Sequence, residues 1–112
     1  MKIVGLGLLA VAFMASPVMA EDAPADTVYT LIIKDHTFTP DKLEVPVGKK
    51  FRITVDNQDA TAEEFESLDL KREKVIAGKS KGVVLLGPLN AGEYAFTGEY
   101  HADTAMGKIV AK

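Results

Sequence analysis

The chain has 112 residues, with 13 Lys and Arg against 16 Asp and Glu, a net charge of -3 and no cysteine. The lack of cysteine excludes disulfides and thiol redox chemistry, and lysines scattered among carboxylates leave no basic patch for nucleic acid or an anionic membrane surface. A chain this short builds one small domain.

Lys2, the apolar run from Ile3 to Met14, and the small residues Val18 and Ala20 form the pattern of a secretory signal cut after Ala20. The run falls short of the roughly 20 apolar residues a membrane span needs. Residues 1–20 are therefore expected to be a signal peptide, 21–26 a flexible Pro/Ala/acidic lead-in, and 27–112 the single exported domain, with no membrane insertion of the mature chain. Without Lys2, 12 basic residues stand against 16 acidic ones, a balance that suits cationic partners. With no disulfides, the stability of such a domain must come from sheet packing or a bound metal.

From Thr27 onward the pattern is β throughout. Val28 to Lys34 is rich in β-branched and aromatic residues, and Leu43 to Val47 alternates before Gly48. Phe51, Ile53 and Val55 fall on one face of the next strand, with Arg52, Thr54 and Asp56 on the other. Glu64 to Asp69 reads as extended, although Thr61 to Asp69 has room for a turn or two of helix. Arg72 to Ile76, Gly82 to Leu86, Glu93 to Tyr100 and Gly107 to Ala111 complete the set, separated by Gly78, Gly87-Pro88 and Asn90-Ala91-Gly92. Seven or eight short strands with closely spaced turns predict an all-β sandwich or small barrel.

The run Phe38-Thr39-Pro40, Leu43-Glu44-Val45-Pro46-Val47-Gly48 and Phe51 to Asn57 resembles the opening of a cupredoxin domain. Gly92-Glu93-Tyr94-Ala95-Phe96, Tyr100-His101 and Met106 to Val110 are similar to its close. The resemblance implies a cupredoxin-like Greek-key β-sandwich with a metal site on the loop between the last two strands. Members of that family place Cys three residues before His and Met a few residues after; here the order is Gly98, His101, Met106. Gly98 at the Cys position excludes a blue copper-thiolate site. The family's upstream His is replaced by Glu63. Glu64-Phe65-Glu66, then Arg72 to Ile76 with Gly78, and the Gly98 to His101 segment resemble the cupredoxin-like proteins of bacterial periplasmic iron-uptake systems. That likeness implies copper or iron binding beside an iron-transport component, with assistance to Fe(II) oxidation as its only credible catalytic form.

His101 offers a neutral imidazole, and Met106 a soft thioether suited to copper. Glu64 and Glu66 share one face of a strand and could clamp a hard cation, while Glu63 shares the other face with Phe65. Strand parity leaves both pairings open. Glu99 could ligate or hold the His101 tautomer, and His36 beside Asp35 reads first as a lone surface histidine. Arg72 and Glu73 suggest a structural ion-pair network. The competing reading is a metal-free β-sandwich that contacts another exported protein. Neither reading makes the chain an independent enzyme: Ser67 and Ser80 lack a nucleophile elbow, and one mononuclear site has no four-electron route for dioxygen.

Overall fold

Alternation of apolar and polar residues fixes which side of most strands enters the core, and a computed structural model that describes residues 27–112 has nine strands. The expected signal and lead-in lie outside those residues. In chain order the strands are β1 (Thr27–Lys34), β2 (Thr37–Thr39), β3 (Lys42–Val45), β4 (Phe51–Asn57), β5 (Glu63–Ser67), β6 (Arg72–Ile76), β7 (Ser80–Leu86), β8 (Gly92–Gly98) and β9 (Met106–Ala111).

They form a four-stranded sheet, β2-β1-β4-β7, and a five-stranded sheet, β3-β9-β8-β5-β6. Both are mixed: β1 runs parallel to β4 and β3 parallel to β9, while the other pairs are antiparallel. Leu31, Ile33, Ile53 and Val55 from the first sheet meet Phe65, Phe96, Ile109 and Ala111 from the second in one buried cluster. The all-β sandwich predicted above is therefore the observed architecture. Among the described residues no helix is long and apolar enough to cross a membrane.

Two local departures from the sequence expectations matter for function. The three-residue β2 pairs back on β1 through a two-residue turn, Asp35-His36, with φ of 52° and 58°. Both residues adopt the left-handed conformation that a tight hairpin turn requires, so His36 stands at a hairpin tip. Later in the chain, β8 stops at Gly98 rather than running to Tyr100, and Glu99–His101 wind into one 3-10 turn. The turn breaks the alternation, so Tyr100 faces solvent instead of following Phe96 and Gly98 inward. The stretch from Thr61 to Asp69 contains β5 and a turn, with no helix.

Candidate metal centre

One end of the sandwich gathers the β1–β2 turn, the β4–β5 loop, the start of β5 and the β8–β9 loop. Three phenylalanines make its floor. Phe38 and Phe96 meet edge to face with centroids 5.0 Å apart, and Phe96 stacks on Phe65 at 5.2 Å. Each lies two positions along the chain from a residue above it: Phe38 from His36, Phe65 from Glu63, and Phe96 from Gly98. Buried Asn57 ties the neighbouring loop down, its amide donating to the carbonyls of Thr61 at 2.9 Å and Ile76 at 3.1 Å.

Glu63 opens β5 on the inward face, with its side chain only 2% exposed. A buried carboxylate needs partners, and this one has three. Oε1 accepts the backbone N–H of Tyr100 at 2.8 Å and of Glu64 at 3.0 Å, while Oε2 lies 2.6 Å from Nδ1 of His101. The short contact to His101 holds one proton between a carboxylate and an imidazole. The carboxylate also occupies the space beside residue 98: a Cβ on Gly98 would lie 2.8 Å from Cδ of Glu63 and 2.7 Å from Cβ of Ala105. Glycine at 98 and glutamate at 63 are thus two halves of one packing arrangement.

His36 stacks on His101 with ring centroids 3.6 Å apart and 10° between planes. His36, Glu63 and His101 each offer a ligand atom within 4.8 Å of the others. The 3-10 turn and the Thr104 and Ala105 N–H groups, which donate to the His101 carbonyl, hold the second imidazole in place. Thr104 Oγ1 donates to the His36 carbonyl at 2.7 Å and ties the two histidine loops together. Parallel rings cannot aim both lone pairs at one ion: a point midway lies about 1.8 Å out of each plane, nearly a full metal–nitrogen bond of about 2.0 Å. Joint ligation therefore requires one ring to turn.

The other candidates lie elsewhere. Glu64 and Glu66 occupy the outward face of β5, where Glu66 stands opposite Glu73 of β6. Glu66 is pushed up to about 7, first by a hydrogen bond with Glu99, then by desolvation and by repulsion from Glu99, Glu64 and Glu73. Desolvation raises Glu64 as well, followed by its hydrogen bond with Glu73. Parity separates Glu64 and Glu66 from Glu63, and with Glu73 and Glu99 they make an acidic strip. Met106 is 55% exposed at the start of β9, pairs across to Thr97, and lines an outer groove with Asp41, Lys42, Phe96 and Lys108. Arg72 donates to the carbonyls of Leu85 and Lys71 at the sheet edge.

His36 is the residue that sequence reasoning placed outside the group. Its place depends on β2, a strand of three residues that leaves almost no periodic signal. The assembled donors are two nitrogens and one oxygen, with no sulfur. That chemistry fits Cu(II), iron or zinc, and is poor for Cu(I).

The model of the family described as "Cupredoxin-like domain" matches residues 5–111. The uncharacterised protein RP394 of Rickettsia prowazekii (strain Madrid E) is 45% identical over 80 residues, which are 71% of this chain and 64% of that protein's length. Among solved structures, auracyanin A, a "blue" copper protein from Chloroflexus aurantiacus, is similar with a TM-score of 0.68 and 14% identity, over 79% of this chain and 100% of that one. The metal-binding domain of the Streptococcus pneumoniae D39 Cu(I)-exporting P-type ATPase CopA, solved with Cu(I), gives 0.68 and 13% over 76% and 84%. A reduced point mutant of amicyanin gives 0.64 and 20% over 81% and 88%. The structural likenesses establish the fold, and the family match extends over nearly the whole sequence: this chain belongs to the cupredoxin-like domain family.

Proposed function

We infer that this is a periplasmic metal-binding protein that holds one copper or iron ion in a mononuclear, non-blue site and serves iron uptake beside a transport component. The observation that carries the reading is the convergence of His36, Glu63 and His101 at one end of the sandwich. A buried carboxylate and an imidazole sharing a proton at 2.6 Å are a ligand pair from which a metal ion releases that proton. The floor of Phe38, Phe65 and Phe96 keeps water from below, and the opening faces solvent past His36.

Copper is suggested by what similar folds are named as binding. Iron is suggested by the resemblance of the Glu64-Phe65-Glu66 and Gly98 to His101 segments to iron-uptake proteins, and by the oxygen donor in place of a thiolate. The strip of Glu64, Glu66, Glu73 and Glu99 draws cations toward the opening. A single ion exchanges one electron at a time, so any Fe(II) oxidation here passes its electron to a partner protein that regenerates the site.

The test is a calorimetric titration of the purified protein with Cu(II), Fe(II) and Fe(III), for wild type and His101→Ala. Saturable binding of one equivalent, weakened at least tenfold in the variant, is the expected result. Absence of saturable binding by the wild type would leave the metal-free, partner-contacting reading.

A further inference from the structure

The carboxylate of Asp59, in the β4–β5 loop, meets the β1–β2 turn at three points. Its Oδ1 accepts the N–H of Asp35 at 2.8 Å, and its Oδ2 accepts the N–H of His36 at 3.0 Å. Oδ2 also lies 3.2 Å from Nδ1 of the His36 ring. The Asp59 side chain is only 14% exposed, against 43% for His36. The loop that carries it is itself fixed: Asn57 Oδ1 accepts the Asp59 N–H at 3.1 Å, and the Asp59 carbonyl accepts the Lys79 N–H at 2.8 Å. A chain of contacts thus runs from buried Asn57 to the hairpin tip that bears His36.

We propose that Asp59 is a positioning residue for His36: it clamps both N–H groups of the left-handed turn, accepts the ring Nδ1 proton, and so presents Nε2 as the nitrogen for a metal ion. The proposal rests on the metal reading above and adds a specific division of labour. Glu63 and His101 face each other inside the sandwich as the ligand pair whose shared proton the metal displaces, which frees the His101 ring to turn, while Asp59 at the rim, 3.2 Å from Nδ1 of His36, keeps that ring in place. A carboxylate on the far nitrogen of a ligating imidazole fixes its tautomer and raises its basicity, and loss of such a partner typically costs about 10- to 100-fold in metal affinity.

Two measurements on the full chain test it. In metal-free wild type at pH 8, long-range 15N-edited NMR of the histidine rings should show His36 as the Nδ1–H tautomer, and Asp59→Ala should shift it toward Nε2–H. Cu(II) affinity should fall about tenfold or more in Asp59→Ala and less in Asp59→Asn, whose amide oxygen can still accept the ring proton. In a His36→Ala background, Asp59→Ala should cost nothing further. An Nε2–H tautomer in the wild type would overturn the proposal, and so would an equal loss of affinity from Asp59→Ala with and without His36. If wild type takes up no Cu(II) while His36 keeps the Nδ1–H tautomer, the metal reading fails and the Asp59–His36 pairing stands. The wild-type spectrum decides even if Asp59→Ala does not fold.

Discussion

Glu63 and Gly98 must be considered together. The carboxylate lies where a side chain on residue 98 would go, so even one methyl group there displaces it. Gly98→Ala is expected to cost about 1–3 kcal/mol through overpacking and to weaken Cu(II) binding, as checked by denaturant melts and titration. Glu63→Gln keeps an amide oxygen for the Tyr100 and Glu64 N–H groups but loses the shared proton. Its Cu(II) affinity should drop at least tenfold, and the proton released on binding, read by calorimetry in two buffers, should decrease with it. Glu63 and His101 were legible in the sequence as family positions. The sharing of a proton between them was not, because it depends on residues 38 apart meeting through the 3-10 turn. His36 was hidden for a similar reason, since its partners come from other loops, distant in sequence.

At the level of β5, alternation separates two chemistries on one strand. Glu63, Phe65 and Ser67 face inward, and Glu64 and Glu66 face out toward Glu73 and Glu99. Glu66 titrates at about 7 in the folded protein against 4.5 when unperturbed, so the folded state binds the extra proton between those values. Stability should then fall as pH rises from about 4.5 to about 7, and remain lower above it. Glu66→Gln removes the repulsion: its melting temperature should exceed that of wild type at pH 8, with no gain at pH 4. An equal gain at both pH values would refute the assignment. Asp59 shows the opposite sign. Burial acts to raise it, but the His36 and Asp35 N–H groups, with His36 and Lys79 nearby, outweigh that and lower it below 3.8. Its contribution is present above 3.8 and disappears as pH falls through the lowered value. Parity left the choice between Glu63 and the Glu64/Glu66 face open in sequence; in the structure Glu63 is buried on the inward face of β5 and Glu64 and Glu66 lie on the other face.

For the whole molecule, the absence of cysteine leaves sheet packing as the source of stability among the described residues. Most of this was visible in sequence, since the period-two runs in β1, β4 and β8 dictate which residues meet in the core. The short β2 and the early end of β8 were not, because pairing and tertiary hydrogen bonds rather than periodicity define them. Phe96 joins the core to the floor of the site, so Phe96→Ala is expected to cost about 3–5 kcal/mol, a large share of the roughly 5–15 kcal/mol that a small domain has. Bound metal offsets such losses by about 2.7 kcal/mol at roughly 100 times its dissociation constant. The gain should be larger at pH 7 than at pH 5, where protons compete for the same ligands, and thermal melts with and without Cu(II) would show it. Whether His36, Glu63 and His101 form one site is tested most directly by pulsed electron paramagnetic resonance of the protein with one equivalent of Cu(II). Modulation from two coordinated imidazoles is expected in wild type and from one in His36→Ala. An unchanged single-imidazole signal in both proteins, or none in either, would contradict a shared site.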